Sequence, residues 1–231
     1  IYDHSIRIGD NAPGWEISFT QEINMTSDSK YFPSLDKWEA KGFKPDAFGR
    51  WSDASGAIAL PLYQGVMIHH FDSCYSGWSQ GRWSELKTAA KEPRPKYLMS
   101  QDDHGKLSTF SQRWRIAYRP IARTTDTRTF ICSFMWPAPC GHSAFLLLPA
   151  DPSLVKNLGL TAILASLTFD WVVRQRLSGT NLSWFIMEEC PLPRVQTSDP
   201  PFVRFAFAAA KLTFLHRRFA PEWLQPVSYT H

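Results

Sequence analysis

Clustered glycines, paired cysteines and long apolar runs are all missing from this chain. Its 12 glycines among 231 residues never gather into a GxGxG pattern. The Gly-rich loop that cradles a dinucleotide or a methyl-donor cofactor is therefore excluded. Cys74, Cys132, Cys140 and Cys190 form no CxxC pair, which points to a reduced, intracellular protein. Cys132, Cys140 and His142 offer three soft ligands, but their spacing matches no standard zinc pattern. No signal peptide is present, and no apolar run is long enough to span a bilayer. The chain starts at Ile1 with no initiator Met, so it is read as a piece of a longer protein. Charged side chains make up only 20%, which is low for a fully solvated surface. Part of the surface is expected to face another domain or a ligand.

What is abundant is aromatic: ten Trp and sixteen Phe, within an apolar content of 44%. Such a chain folds, and its length suits one large domain or two small ones. The net charge of +4 is unevenly spread. Residues 1–48 hold five basic and eight acidic side chains, whereas 82–96 hold five basic and two acidic. Residues 112–128 hold five Arg against Asp126 alone. This asymmetry suits a polyanionic partner, with ordinary solvated faces as the alternative.

The periodicities predict an α+β fold with a mixed or antiparallel sheet packed against helices. Trp15, Ile17 and Phe19 fall on one face of a strand, and "IALPLYQGVMIHHFD" at 58–72 continues in extended structure. Residues 73–111 read as a flexible basic excursion, since the prolines of "KEPRPKYLMS" exclude an interior strand. "RWRIAYR" at 113–119 alternates Arg113, Arg115, Ala117 and Arg119 against Trp114, Ile116 and Tyr118. "TFICSFMW" and "SAFLLLP" then supply two neighbouring strands of one sheet. Three guanidinium groups on one strand face repel, so an anion or acidic residues from elsewhere must meet them. Residues 154–177 read as one main helix covering that sheet, 182–187 as extended, and 202–219 as a last helix.

Asp199-Pro200-Pro201-Phe202 spells the tetrapeptide with which amino-group methyltransferases hold a flipped adenine. No cofactor loop precedes it. Asp199 instead sits where a helix N-cap belongs, with proline in the first turn, so the tetrapeptide is read as a cap rather than a catalytic site.

Several segments together resemble a family. "LPLYQGVMIHHFD", "RWRIAYRPIARTTDTRTFICSFMWP", "GHSAFLLLP", "LASLTFDWVVRQRLSGTNLSWFIMEECPLP" and "VRFAFAAAKLTF" are similar, in this order, to the C-terminal region of large adenine-specific DNA methyltransferases. These include single-chain restriction–modification enzymes. The likeness covers roughly residues 15–219. It departs at Ser73, where His or Arg is common, and at Pro120, where Asp is common. The resemblance implies a target-recognition domain over 58–231. Residues 1–57 would be a lead-in that packs on, or links to, a catalytic domain outside this chain. It further implies double-stranded DNA and that covalently linked methyltransferase domain as partners, and a bacterial or archaeal cytoplasm. S-adenosylmethionine would belong to the catalytic domain, with no cofactor and no methyl transfer here.

The DNA-binding candidates are Arg94, Lys96, Arg113, Arg115, Arg119, Arg123, Arg128, Arg174, His69 and His70. A guanidinium fork suits a phosphate or the O6/N7 edge of guanine, and Arg119, Arg123 and Arg128 bracket a turn-rich loop. The competing reading for Arg128 is an ion pair within the scaffold. His69 and His70, adjacent on a strand, would point to opposite sides. No nuclease cluster, nucleophile elbow or phosphate loop is visible. The rival to DNA recognition is a docking domain that holds the catalytic part of its parent through its aromatic surface. A fragment catalysing through Asp199-Pro200-Pro201-Phe202 is the third, disfavoured reading.

Overall fold

Alternation of apolar side chains builds the centre of the molecule, and local capping signals set where each helix starts and stops. The computed structural model describes residues 5–10, 15–87, 91–111, 113–196 and 198–223. The first half contains β1 (Ser5–Arg7), β2 (Ile17–Thr20), α1 (Leu35–Glu39), β3 (Lys44–Pro45), β4 (Trp51–Ser52) and β5 (Ile58–Pro61). It continues through β6 (Ser76–Ser79), β7 (Arg82–Glu85), β8 (Leu98–Ser100) and α2 (Gln101–Leu107). The second half runs through β9 (Arg115–Tyr118), β10 (Cys132–Met135), β11 (Phe145–Pro149), α3 (Leu154–Leu164) and α4 (Leu167–Arg176). It closes with α5 (Trp184–Glu188), β12 (Pro191–Pro193) and α6 (Pro200–Thr213).

The chain is an α+β domain whose sheets are antiparallel and packed against helices. The central sheet has the order β10-β9-β11-β2, with Ile116 opposite both Phe134 and Leu147. The three expected strands thus share one sheet, and residues 17–20 add a fourth. The described residues also form a second sheet, β3-β4-β5-β8, a β6–β7 hairpin and a β1–β12 ribbon. Tyr63 bridges to Cys140 and so links the two sheet regions. The division at 57/58 falls in the turn between β4 and β5, which pair with each other.

Four expectations are corrected. Residues 73–111 are no excursion: they supply β6, β7, β8 and α2, and Leu98 and Met99 are fully buried. β8 ends its sheet beside β5, and residues 33–35 bridge to its other side, with the Leu98 N–H donating to the Pro33 carbonyl. Residues 62–72 leave extended structure for a 3-10 turn at Gly65–Met67 and a left-handed turn at Phe71, φ 61°. Gly65 is required there, because a Cβ would stand 2.1 Å from the Ser143 carbonyl oxygen.

The main helix is two helices. Ser166 interrupts it, accepting from the Phe169 N–H at 3.1 Å as the N-cap of α4. A new cap satisfies orphan donors that an uninterrupted helix would not have. Finally, 184–188 is one helical turn rather than a strand; Met187 is buried and Phe185 faces outward.

α3 packs on β9 and β10, and α6 packs on α3. A Cβ at Gly159 would stand 2.2 Å from Phe202 Cζ, so this glycine lets the second helix approach. Phe202 is buried there, 6.0 Å from the Trp15 ring centroid. It has no free face to stack on a base. Asp199 occupies the N-cap position with proline at N1, but its carboxylate accepts from the Gln196 N–H at 3.3 Å rather than from the helix.

Candidate nucleic-acid interface

Strand β9 separates the predicted arginines into two groups. Arg113 and Arg115 lie at its start and Arg119 just past its end. The alternating pattern suggested a polar face, yet all four residues of β9 are buried. The repulsion anticipated among the arginines is resolved inside the protein.

Arg115 has no exposed surface. Its Nη1 donates to Glu22 Oε1 at 2.7 Å, its Nε to the Arg113 carbonyl at 3.0 Å, and its Nη2 to the Phe110 carbonyl. Glu22 also meets His104 Nε2 at 3.1 Å and accepts from Ser108 Oγ and from the Cys140 N–H at 3.0 Å. Burial works against ionising this carboxylate. The His104 hydrogen bond and the Arg115 charge outweigh it and bring the pKa down to about 2. Arg113 donates to the carbonyls of Pro149 and Ala150. Arg115 is framework with no surface to offer a ligand, while Arg113 is half-buried with its Nη2 on these carbonyls.

At the other end, Arg119 Nε donates to the carbonyls of Gly65 at 2.9 Å and Ile68 at 2.8 Å. Its guanidinium lies 5.6 Å from the Tyr75 ring centroid. Arg128 Nη2 donates to Ala165 and Ser166, at 2.7 and 3.2 Å, and so closes the carbonyl end of α3. Its Nε stands 3.4 Å from Asp170. Arg174 joins the same carboxylate at 3.2 Å and donates to the Thr124, Asp126 and Thr127 carbonyls. Asp170 also accepts from the Phe130 N–H at 2.8 Å. Arg119, Arg128 and Arg174 therefore position loops through backbone carbonyls of the chain.

The two histidines sit on a turn, not on opposite faces of a strand. His69 pairs with Asp72 through the backbone, and its ring stacks on Tyr75 at 4.6 Å. His70 meets His69 edge-on, and neither of its ring nitrogens has a partner among the described residues. Burial, then the charge of Arg128, push the His70 pKa down to about 4. Burial and Arg119 lower that of His69. Both rings are neutral at pH 7, so neither offers a cation to phosphate.

These contacts join segments that are remote in sequence. Lys91 Nζ bonds Asp72 at 2.6 Å, and Leu86 donates its N–H to Tyr75. Trp78 donates its N–H to the Arg94 carbonyl at 2.8 Å. Lys96 lies over the Trp78 ring, 4.6 Å from its centroid. The β6–β7 hairpin, residues 91–97 and the 69–72 turn therefore pack on one another. Arg82, Lys87 and Arg94 are exposed on these segments, and Arg123 and Ile121 are exposed on the 121–128 loop that Arg174 holds. Of the predicted residues, Arg94 and Arg123 are the ones left open to a polyanion. Lys96 is half-buried against its aromatic neighbours.

Asp170, Tyr75 and Glu22, which organise these cations, were not singled out from the sequence. Only Asp170, four residues before Arg174 on one helix, carried a local signal. All four cysteines are free and buried, and burial raises the thiol pKa of each. Among the described residues no group of three or more His, Cys, Asp or Glu is placed to hold a metal, and no helix is long and apolar enough to cross a membrane.

No protein-family model matches the chain, and no curated protein is significantly similar to it.

Proposed function

We propose that this chain is the DNA target-recognition module of an adenine-specific methyltransferase of the restriction–modification kind, without catalysis of its own. The observation that carries the reading is the exposure of Arg94 and Arg123 on held segments. The Arg94 carbonyl accepts from the Trp78 N–H, and Arg174 holds the Arg123 loop through the Thr124, Asp126 and Thr127 carbonyls. Exposed cations on a rigid support hold the duplex phosphates, and neighbouring loop side chains then choose bases. Methyl transfer and S-adenosylmethionine belong, in this reading, to a covalently linked domain. The burial of Phe202 supports leaving Asp199-Pro200-Pro201-Phe202 out of the chemistry.

A second reading, a docking domain for that catalytic partner, is favoured by one feature. An apolar groove of about 740 Å³ runs along α4, β12 and α6, bordered by exposed Trp171 and Phe205. A fluorescence-anisotropy titration of random-sequence duplex at low and moderate salt separates the two. DNA recognition predicts affinity that falls steeply with salt. Arg94→Ala and Arg123→Ala should each lower the salt slope by about 1. Binding indifferent to salt and to both substitutions would favour the docking domain.

A further inference from the structure

The groove between α3, α4, α6 and the β1–β12 ribbon holds about 740 Å³, within the range of small-molecule sites. Its walls are mainly apolar: Phe169 and Leu192 are buried, and Ile163 and Val172 are half-buried. The groove exists because the apolar residues of α4 do not all turn to the core. Phe169 and Val173 are buried, whereas Trp171 stands exposed on the border, as does Phe205 of α6. An apolar body laid along these side chains displaces water from them.

Few polar groups line the groove, and none of them is acidic. Ser166 Oγ is occupied as the N-cap of α4, accepting from the Phe169 N–H at 3.1 Å. Among the described residues that line the groove, Arg176 alone is charged. Its Nη1 turns back along the helix and donates to the carbonyl of Val172, itself a wall residue, at 3.3 Å. Burial raises the pKa of the Cys190 thiol, and the Arg176 guanidinium is close enough to oppose that rise. Cys190 immediately precedes Pro191 of the facing wall, so this charge stands between α4 and β12. Arg176 is exposed to solvent and pairs with no carboxylate among the described residues. The neighbouring Glu189 is engaged by Arg7 at 3.0 Å.

We propose that this groove binds a medium-chain amphipathic carboxylate. The chain lies on Val172, Leu192 and Phe205, and the carboxylate accepts from the remaining donors of Arg176. A wall with one cation and no anion is the complement of a single acidic head, and the apolar remainder is the complement of its chain. The site does not depend on the DNA reading, and it claims the groove that the docking reading fills with a protein partner.

Isothermal titration of the intact chain with decanoate, octanoate and decyltrimethylammonium, each below its micelle concentration, tests this. Saturable binding of decanoate is expected, with octanoate several-fold weaker, since each buried methylene contributes up to about fourfold. Decyltrimethylammonium has the same chain and the opposite head charge, and should bind at least about tenfold more weakly than decanoate. Arg176→Gln, at an exposed position, should weaken decanoate about three- to tenfold without weakening decyltrimethylammonium. Phe205→Glu, exposed on α6, sets a carboxylate on the border and should weaken decanoate at least about tenfold. Circular dichroism should match the parent for both variants. The proposal is overturned if decanoate does not bind saturably, if decyltrimethylammonium binds as tightly, or if both variants fold and bind decanoate like the parent.

Discussion

Two arginines in this domain are buried to nearly the same depth and differ in what surrounds them. Arg115 is enclosed by Glu22 and by the carbonyls of Arg113 and Phe110, and Glu22 is in turn held by His104, Ser108 and the Cys140 N–H. Arg218 has the neutral His216 imidazole on Nε, the Trp136 indole beneath it, and no hydrogen-bond acceptor for its two terminal nitrogens among the described residues. Burial alone therefore says little about the role of a charged side chain. A cation whose donors are met inside the protein and paired with a carboxylate is framework, whereas one buried with donors unmet is a cost the fold carries. Among the predicted DNA contacts, Arg119, Arg128 and Arg174 hold carbonyls of the chain, whereas Arg94 and Arg123 are exposed.

The largest effect is expected from turning the first environment into the second. Glu22→Gln leaves Arg115 buried without its counter-charge, and should cost about 3–5 kcal/mol in denaturant unfolding. An unchanged midpoint would show that the carbonyls alone suffice. Gly159→Ala sets a purely steric scale beside it. The added methyl meets the buried Phe202 ring, so a loss of about 1–3 kcal/mol is expected, even though alanine favours the helix.

Acid should separate the two arginine sites. His216 has a folded pKa below its ordinary 6.5, lowered by burial and by Arg218. The unfolded state takes up this proton first, so its stabilising contribution is complete above 6.5 and is lost as pH falls through the lower folded value. Protonation also turns Nδ1 from acceptor to donor and breaks its contact with Arg218. Glu22 follows at lower pH: its unfolded carboxylate protonates near 4.5 and its folded one only near 2. Stability from the Arg115 network therefore persists above 4.5 and disappears between 4.5 and 2. Unfolding curves across this range, with His216→Gln as the reference, should show a smaller loss just below 6.5, with the part due to His69 and His70 remaining, and the loss between 4.5 and 2 retained. Arg174→Ala should have the smallest effect, about 1 kcal/mol, with faster amide exchange confined to the 123–128 loop.

The sequence made the central sheet legible because its signal is local: residues 113–119 alternate, 129–136 and 143–149 are short apolar runs, and the three pair as neighbours. Short or interrupted elements were not. The apolar period runs straight through Ser166, so its capping role is hidden, and a single turn at 184–188 is too brief to be told from a strand. The charged sites were harder still. Glu22 and Arg115 stand 93 residues apart, and no local pattern announces the pair. The alternation of Arg113, Arg115 and Arg119 was correctly read as needing compensation, but only the fold shows that an internal carboxylate and backbone carbonyls supply it. Arg218 looked like one more charge on a helix that in fact ends at Thr213.

The most direct test of the distinction is a side-by-side denaturant titration of Arg115→Met and Arg218→Met without added ligand. Both substitutions remove a buried guanidinium and keep most of the side-chain volume. Arg115→Met should lose about 3–5 kcal/mol, because Glu22 is left buried without its arginine counter-charge. Arg218→Met should stay within about 1 kcal/mol of the parent or exceed it, since it removes a cation that the protein does not compensate. A loss at Arg218 as large as that at Arg115 would contradict the account.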